Sequence, residues 1–121
     1  LSYSQNKDFE DNNMGQIVER AKIIMSENMH KGINVEVLAS KLGISYSRFR
    51  KVFKDYTGYA PGQYYQEMKL RKAKELLVET NRSLKEIAYA LNFNSYEYFI
   101  SFFKKREGIT PLEYRNSRKV Q

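Results

Sequence analysis

The sequence predicts an all-α fold of about seven helices, arranged as two helix-turn-helix subdomains joined by one long linking helix. Three features lead to this prediction. Apolar residues recur at the period of an α-helix, residues that begin and end helices separate these stretches, and the pattern of the first half returns in the second half. No stretch alternates between polar and apolar residues for long enough to predict a strand.

The same signals divide the 121-residue chain into five segments. The chain begins with Leu1 rather than Met, and its first stretch is polar and acidic. We therefore expect this stretch to be the disordered remnant of a linker, in a fragment of a longer protein. The expected segments are a linker remnant at residues 1–13, a first helix-turn-helix subdomain at 14–58, the linking helix at 59–80, a second helix-turn-helix subdomain at 81–116 and a flexible tail at 117–121.

Three helices are expected in the first subdomain. An apolar stripe at helical spacing predicts the first, from about Gly15 to Asn28. Asn34 is a suitable N-cap for the second. Ser45 is a suitable N-cap for the third, over Tyr46–Tyr56, which Gly58 ends. The buried positions expected on the third helix are Phe49, Val52, Phe53 and Tyr56.

The second half of the chain begins with the linking helix. Pro61 starts this helix, because proline is tolerated in the first turn, and the helix should continue to about Glu79. At about 1.5 Å per residue it would be roughly 29 Å long. Ser83 followed by Glu86 predicts a capping box at the start of the fifth helix. A sixth helix is expected over Tyr96–Arg106, and a short final helix after it.

An internal repeat is the strongest feature of the sequence. Residues 35–64 align with residues 84–114, and the second copy has one extra residue, Asn94, in its turn. Each copy predicts a short helix, a tight turn and a longer helix with an apolar seam, which is the helix-turn-helix pattern. The matched residues are Leu38 with Ile87, Ala39 with Ala88, Leu42 with Leu91, Ile44 with Phe93, Ser45 with Ser95, Phe49 with Phe99, Phe53 with Phe103, Gly58 with Gly108, Pro61 with Pro111 and Tyr64 with Tyr114.

The chain is also basic. It carries 21 Lys and Arg against 14 Asp and Glu, which gives a net charge of +7 and a pI near 9.5. A basic domain attracts polyanions because binding releases their condensed counterions. This favours a nucleic-acid partner over a duplicated hairpin that only packs. Successive major-groove faces lie about 34 Å apart, so a linking helix of the predicted length would let one chain read two adjacent major-groove segments.

Together these residues resemble the C-terminal DNA-binding domain of the AraC/XylS family, over about residues 16–115. The resemblance implies a sequence-specific bacterial transcription regulator, often an activator, that binds double-stranded promoter or operator DNA in the cytoplasm. It also implies contact with RNA polymerase and an upstream effector-binding or receiver domain that this fragment lacks. The residues that carry the resemblance are Ala39, Ser45, Phe53, Lys54, Gly58, Pro61, Tyr64, Ala73, Leu76, Leu77, Ile87, Ala88, Phe93, Tyr98, Phe99, Phe103, Lys104, Lys105, Gly108, Thr110, Pro111, Tyr114 and Arg115.

Three positions depart from the family pattern. Lys69 stands where the linking helix usually has Arg, and Asn92 stands where the second turn usually has Gly. Asn is the residue that best replaces Gly in a left-handed conformation. Ser101 stands where the second reading helix often has Arg or another long polar residue, so we expect weaker base reading there.

The exposed positions near the start of the third helix are predicted to read bases. Arg50 is the best candidate, because its planar fork can pair with guanine O6 and N7. Lys51 can act on a base as a point charge or bind a phosphate. The predicted base-reading residues of this helix are Tyr46, Ser47, Arg48, Arg50 and Lys51.

The start of the sixth helix offers a different set of side chains. Glu97 can accept from a cytosine amino group, and Ile100 can contact a thymine methyl group. This surface carries little positive charge, so we expect weaker or more context-dependent binding, and we expect Tyr98 to lie in the core. The predicted base-reading residues here are Ser95, Tyr96, Glu97, Ile100 and Ser101.

Four further residues are predicted to contact phosphates. Lys54 and Lys104 stand one turn beyond the reading positions. Asn34 and Ser83 begin the scaffold helices, whose backbone N–H groups can face a phosphate. Such contacts fix the register of the protein on DNA but carry no sequence information.

Other functions are less well supported by the sequence. The chain has one histidine, His30, no Cys, no Gly-rich phosphate loop and no metal-ligand spacing, so we expect no enzyme, metal or cofactor. Repair methyltransferases that share this helical module need a reactive Cys. A protein-interaction module and an RNA-binding protein are the alternatives, but the aromatic residues are spaced for a core rather than for stacking on bases. No apolar run reaches the roughly 18 residues of a membrane span.

Overall fold

The computed structural model describes the backbone of residues 2–118 and the side chains of residues 13–118. Within that range the chain forms seven α-helices and no strand, which confirms the all-α prediction. Among the described residues, no helix combines the length and the hydrophobicity that a membrane span requires. The helices are α1 (Ser2–Glu27), α2 (Val35–Lys41), α3 (Tyr46–Thr57), α4 (Pro61–Glu79), α5 (Leu84–Ala90), α6 (Tyr96–Glu107) and α7 (Pro111–Arg118).

The two ends of the chain differ from the prediction. The backbone of α1 is already helical at Ser2, whereas the sequence predicted a disordered linker over residues 1–13 and a helix start near Gly15. Neither Gly nor Pro stands before Gly15, so no residue there interrupts the backbone hydrogen bonds of a helix. At the other end α7 continues to Arg118, two residues into the predicted flexible tail. Leu1 and residues 119–121 lie outside the described residues.

N-caps are present at four helix starts, and the sequence predicted three of them, at Asn34, Ser45 and Ser83. Each cap has an extended backbone, and its side-chain oxygen accepts a hydrogen bond from the backbone N–H three residues later, as an N-cap does. These bonds join Asn34 to Val37 (3.0 Å), Ser45 to Arg48 (3.3 Å), Ser83 to Glu86 (3.0 Å) and Ser95 to Tyr98 (3.0 Å). The predicted capping box at Ser83 is complete, since the Glu86 carboxylate accepts from the Ser83 N–H at 2.7 Å.

The sharp turn of each motif depends on one residue with a left-handed backbone. Gly43 has φ of 75°, and Asn92 at the matching position has φ of 57°. The next residue then donates its N–H back to the alanine of the scaffold helix, at 3.1 Å in the first motif and 3.0 Å in the second. Asn92 therefore supplies the conformation that the sequence analysis expected of it, at the strain cost of a residue with a Cβ.

The chain separates into two compact units, and the boundary falls inside α4. One unit contains the residues up to Asn28 together with Ile33–Tyr65. The other contains Met29–Gly32 and the residues from Gln66 onward. The buried core of the first unit includes Val18, Ala21, Met25, Leu38, Ala39, Leu42, Phe49 and Phe53. The core of the second unit consists of Leu70, Ala73, Leu77, Ile87, Ala88, Leu91, Phe93, Phe99 and Phe103.

The repeat extends to the packing of aromatic rings. Phe53 meets Tyr64 edge to face with ring centroids 5.2 Å apart, and Phe103 meets Tyr114 in the same way at 5.4 Å. Such edge-to-face pairs add to the gain from burial. The second unit also closes the end of α4, because the Arg115 Nε donates to the carbonyl of Leu77 at 2.9 Å.

Two tyrosines expected in the core lie on the surface instead. Tyr56 is 51% exposed in the last turn of α3, where its ring lies beside Gly15 of α1. Tyr98 is 42% exposed, and its ring stacks on Phe102 with centroids 6.0 Å apart. The helical period alone assigned both to the buried seam, but Phe99 and Phe103 already fill it in α6.

Candidate nucleic-acid interface

The start of α3 presents a polar and basic surface on a rigid support. Phe49 and Phe53 are completely buried and fix the orientation of the helix about its axis. All five predicted base-reading residues of this helix are exposed. They are Tyr46, Ser47, Arg48, Arg50 and Lys51. The helical period therefore separates the apolar seam of α3 from its exposed polar and basic side.

Two contacts organise the charges on this surface. The Arg50 Nη1 donates to the hydroxyl of Tyr46 at 3.4 Å. The Lys51 Nζ lies 3.4 Å from the Asp55 carboxylate, but both side chains are well exposed, so this ion pair is weak. Among the described side chains neither Arg48 nor Arg50 forms an ion pair. The guanidinium groups thus remain available to an anionic partner.

The start of α6 has the same support but a different surface. Phe99 and Phe103 are completely buried, like their counterparts in α3. Ile100 is half-buried and packs against the core of the second unit, so only part of its side chain is free to touch a ligand. Of the other predicted base readers, Ser95, Glu97 and Ser101 are exposed and Tyr96 is half-buried.

The four predicted phosphate contacts are all exposed, but their environments differ. Lys54 and Lys104 stand in the last turns of α3 and α6. The Asn34 and Ser83 oxygens are used as caps, and the Ser83 N–H donates to Glu86. Hydrogen bonds from the Ser83 backbone and hydroxyl lower the pKa of Glu86, which keeps a negative charge at this helix start. That charge opposes an incoming phosphate.

Lys85 is a cation near α6 that the sequence analysis did not single out. It belongs to the first turn of α5, and its Nζ lies 5.5 Å from the centroid of the Tyr96 ring. The signal was present in the repeat, since the matching residue of the first motif is the acidic Glu36. A comparison of charges between the two copies would have found it.

Comparison with known proteins identifies the family to which this chain belongs. A helix-turn-helix domain family matches residues 38–117, which is most of the chain and includes both motifs. The probable transcription factor PqrA of Proteus vulgaris is 32% identical over 88 residues, which cover 73% of this chain and 72% of that protein. The chain belongs to the AraC/XylS family of transcription regulators. Its activity is therefore that of a DNA-binding module rather than of an enzyme.

Two longer relatives match this AraC-type domain over part of their length. The xylose operon regulatory protein of Escherichia coli K12 is 40% identical over 86 residues, which cover 71% of this chain and 22% of that protein. The HTH-type transcriptional activator RhaS of Mannheimia succiniciproducens is 30% identical over 118 residues, which cover 95% of this chain and 44% of that protein. The chain thus spans less than half the length of either relative.

Solved structures of AraC-type domains have the same fold. An AraC-type regulator from Chromobacterium violaceum superposes with a TM-score of 0.80 at 31% identity, over 86% of this chain and 93% of the other. The C-terminal domain of AraT, a response regulator from Geobacillus stearothermophilus, gives 0.81 at 27% identity, over 87% and 88%. The DNA-binding domain of AdpA, solved in complex with a target DNA, gives 0.78 at 27% identity, over 83% and 90%.

The linking helix α4 of this AraC-type domain carries a buried lysine, Lys69. This side chain is only 4% exposed. Its Nζ donates to the carbonyl of Asn92 at 3.2 Å and lies 4.3 Å from the centroid of the Phe93 ring. Burial lowers the pKa of the Lys69 ammonium below the usual 10.5 of a lysine side chain. Lys69 therefore ties α4 to the left-handed turn of the second motif.

Proposed function

We propose that this AraC-type domain recognises specific sequences in double-stranded DNA by inserting the first turns of α3 and α6 into adjacent major-groove segments. The observation that carries the proposal is the arrangement of α3. Its exposed side holds Arg48, Arg50 and Lys51, while its opposite side is fixed by the buried rings of Phe49 and Phe53. In a helix-turn-helix, residues near the start of the second helix contact base edges.

The side chains of α3 and α6 suit different bases. The Arg50 guanidinium matches guanine O6 and N7, and Tyr46, Ser47, Arg48 and Lys51 complete the contact surface of α3. On α6, Glu97 would accept from a cytosine amino group and Ile100 would touch a thymine methyl group. Ser95, Tyr96 and Ser101 are the remaining candidates of this second motif.

Phosphate contacts would set the register on the duplex. Lys54 and Lys104 are exposed cations in the last turns of α3 and α6, and they suit this role. Asn34 and Ser83 would contribute through the start of α2 and α5. Of these two, Ser83 is the weaker candidate because the Glu86 carboxylate already accepts from its N–H.

The length of α4 supports reading of two sites by one chain. This helix runs without interruption for 19 residues between the two motifs. At about 1.5 Å per residue it is roughly 29 Å long. That length is of the same order as the roughly 34 Å between successive major-groove faces.

A change in half-site spacing tests the proposal. The wild-type domain is first used to select duplexes from random-sequence DNA, and the two protected half-sites are then separated by 5 or 10 additional base pairs. A 5-base-pair insertion turns the second half-site to the opposite side of the duplex. We expect the affinity of the domain for this duplex to fall to its affinity for a duplex that carries one half-site. Unchanged affinity, or no preference between the selected duplex and a scrambled one, would contradict the proposal.

We propose further that the regulator is a cytoplasmic activator that contacts RNA polymerase. The sequence similarity to RhaS, a transcriptional activator, supports this role. The fold shared with the C-terminal domain of a response regulator supports an accompanying receiver or effector-binding domain. Transcription from a promoter that carries the selected duplex should rise when the regulator is added to purified polymerase, whereas a repressor would lower it.

A further inference from the structure

The two motifs differ in where their positive charge stands. At three matched positions of the reading helices, α3 has a cation and α6 has a neutral side chain. Arg48, Arg50 and Lys51 of α3 are matched in α6 by Tyr98, Ile100 and Ser101, respectively. One more matched position, Ser47 in α3, becomes the acidic Glu97 in α6. The surface of α6 that corresponds to the basic surface of α3 therefore carries no cation.

The scaffold helices show the opposite exchange. Glu36 in the first turn of α2 is matched by Lys85 in the first turn of α5. Lys85 is exposed, and its Nζ stands over the ring of Tyr96, the first residue of α6. A cation above an aromatic ring is held there by the charge distribution of the ring. In the second motif a cation of α5 thus stands beside the first residue of the reading helix.

The same tyrosine position holds a cation in each motif. Tyr46 and Tyr96 are matched first residues of α3 and α6. The hydroxyl of Tyr46 accepts from Arg50 of its own helix. The ring of Tyr96 holds Lys85 of the preceding helix. Both motifs thus have a tyrosine at this position, but the cation beside it comes from α3 itself in the first motif and from α5 in the second.

We propose that Lys85, held by Tyr96, binds a backbone phosphate of duplex DNA beside the second half-site. This inference rests on the proposed function. The first helix of a helix-turn-helix crosses the DNA backbone while the second enters the groove, so a cation on α5 suits a phosphate. A lysine ammonium acts as a point charge and can bind a phosphate without reading sequence. The nearest acidic group on α5, Glu86, is directed to the Ser83 cap.

Lys85→Gln tests the inference. The probe is a duplex selected from random-sequence DNA by the wild-type domain, and the affinity is measured by fluorescence anisotropy from 50 to 200 mM salt. Loss of one phosphate contact should make the slope of log K against log salt shallower by about 0.9. It should also lower the affinity about eightfold at 0.1 M salt. Discrimination between the selected and scrambled duplexes should remain. Lys72→Gln is the matched control, because Lys72 is also exposed but pairs with Glu75 on α4.

The outcomes separate this inference from the proposed function. If the wild-type domain binds no duplex with preference, the proposed function fails. If it binds and Lys85→Gln keeps the wild-type affinity and salt slope, only the role of Lys85 is overturned. The role of Lys85 is also overturned if Lys72→Gln weakens binding as much as Lys85→Gln does.

A double-mutant cycle tests the role of the ring. If Tyr96 acts through Lys85, Tyr96→Leu should weaken binding in the wild-type background and add little in the Lys85→Gln background. Additive losses would overturn the part assigned to Tyr96. Circular dichroism of each variant verifies that the helical content is unchanged.

Discussion

Arg50 is the residue of α3 whose chemistry is most selective. Its guanidinium is exposed, and the Tyr46 hydroxyl restrains one end of its fork. We expect Arg50→Ala to lose about 1–3 kcal/mol of discrimination at one base pair and to leave the other positions unchanged. Binding to a set of duplexes that each carry one substituted base pair measures this.

Lys54→Ala provides the matched control for Arg50. Lys54 belongs to the same helix and is also exposed, but it stands one turn further from the start. Its loss should weaken binding to all duplexes by a similar factor. If Arg50→Ala also weakened all duplexes equally, Arg50 would be a phosphate contact and the base reading of α3 would have to come from other residues.

At the scale of the helices, Lys69 connects α4 to the turn between α5 and α6. The cation is buried, and charged groups are costly to bury even with a hydrogen-bond partner. Its pKa is lowered, so the folded state binds the proton less well than the unfolded state does. The folded protein therefore gains stability as the pH rises from the lowered pKa toward 10.5, where the neutral amine can still donate to Asn92.

This argument predicts how stability changes with alkaline pH. The free energy of unfolding of the wild type, relative to Lys69→Met, should increase as the pH rises from the lowered pKa of Lys69 toward the usual 10.5. Urea unfolding followed by circular dichroism measures the difference. Lys69→Arg is the control, because an arginine remains charged throughout this range and its difference from Lys69→Met should not change. If the difference in unfolding free energy between the wild type and Lys69→Met stayed constant with pH, the pKa of Lys69 would not be lowered.

The helices whose starts carry polar caps were the ones the sequence predicted best. Ser83 with Glu86 marked the start of α5, and Pro61 marked that of α4, because caps and first-turn prolines act through nearby backbone groups. The start of α1 was missed because residues 2–13 are mostly polar and carry no apolar stripe at helical spacing. Local signals therefore determined most of the helix boundaries.

The parts of the interface that depend on packing were harder to predict. The helical period of the apolar residues assigned Phe49 and Phe99 to the core, where the structure also has them. The same period assigned Tyr98 to the core, but this side chain is exposed. The contact of Lys85 with Tyr96 joins two helices, so no pattern within one helix could reveal it. Side chains that act between elements become visible only when the turn between those elements is known.

For the whole molecule, the net charge of +7 does not by itself separate specific from unspecific DNA binding. Several cations are already paired within the protein, including Lys74 with Glu107 at 3.2 Å and Arg106 with Glu67. These pairs leave fewer cations to displace counterions than the composition suggests. The cations proposed to meet DNA are Arg48, Arg50, Lys51, Lys54, Lys85 and Lys104.

The salt dependence of binding tests this set as a whole. Of these cations, the three proposed to contact phosphates are Lys54, Lys85 and Lys104. They predict a slope of log K against log salt of about −2.7, and a loss of affinity of about fortyfold between 50 and 200 mM salt. The slope should be similar for the selected duplex and for a duplex whose base contacts are disrupted, because base reading releases few counterions. The ratio of the two affinities should then change little with salt. A slope shallower than about −1 would mean that most of these three lysines remain in water. A ratio of affinities that falls to one at 200 mM salt would mean that charge alone holds the domain on DNA.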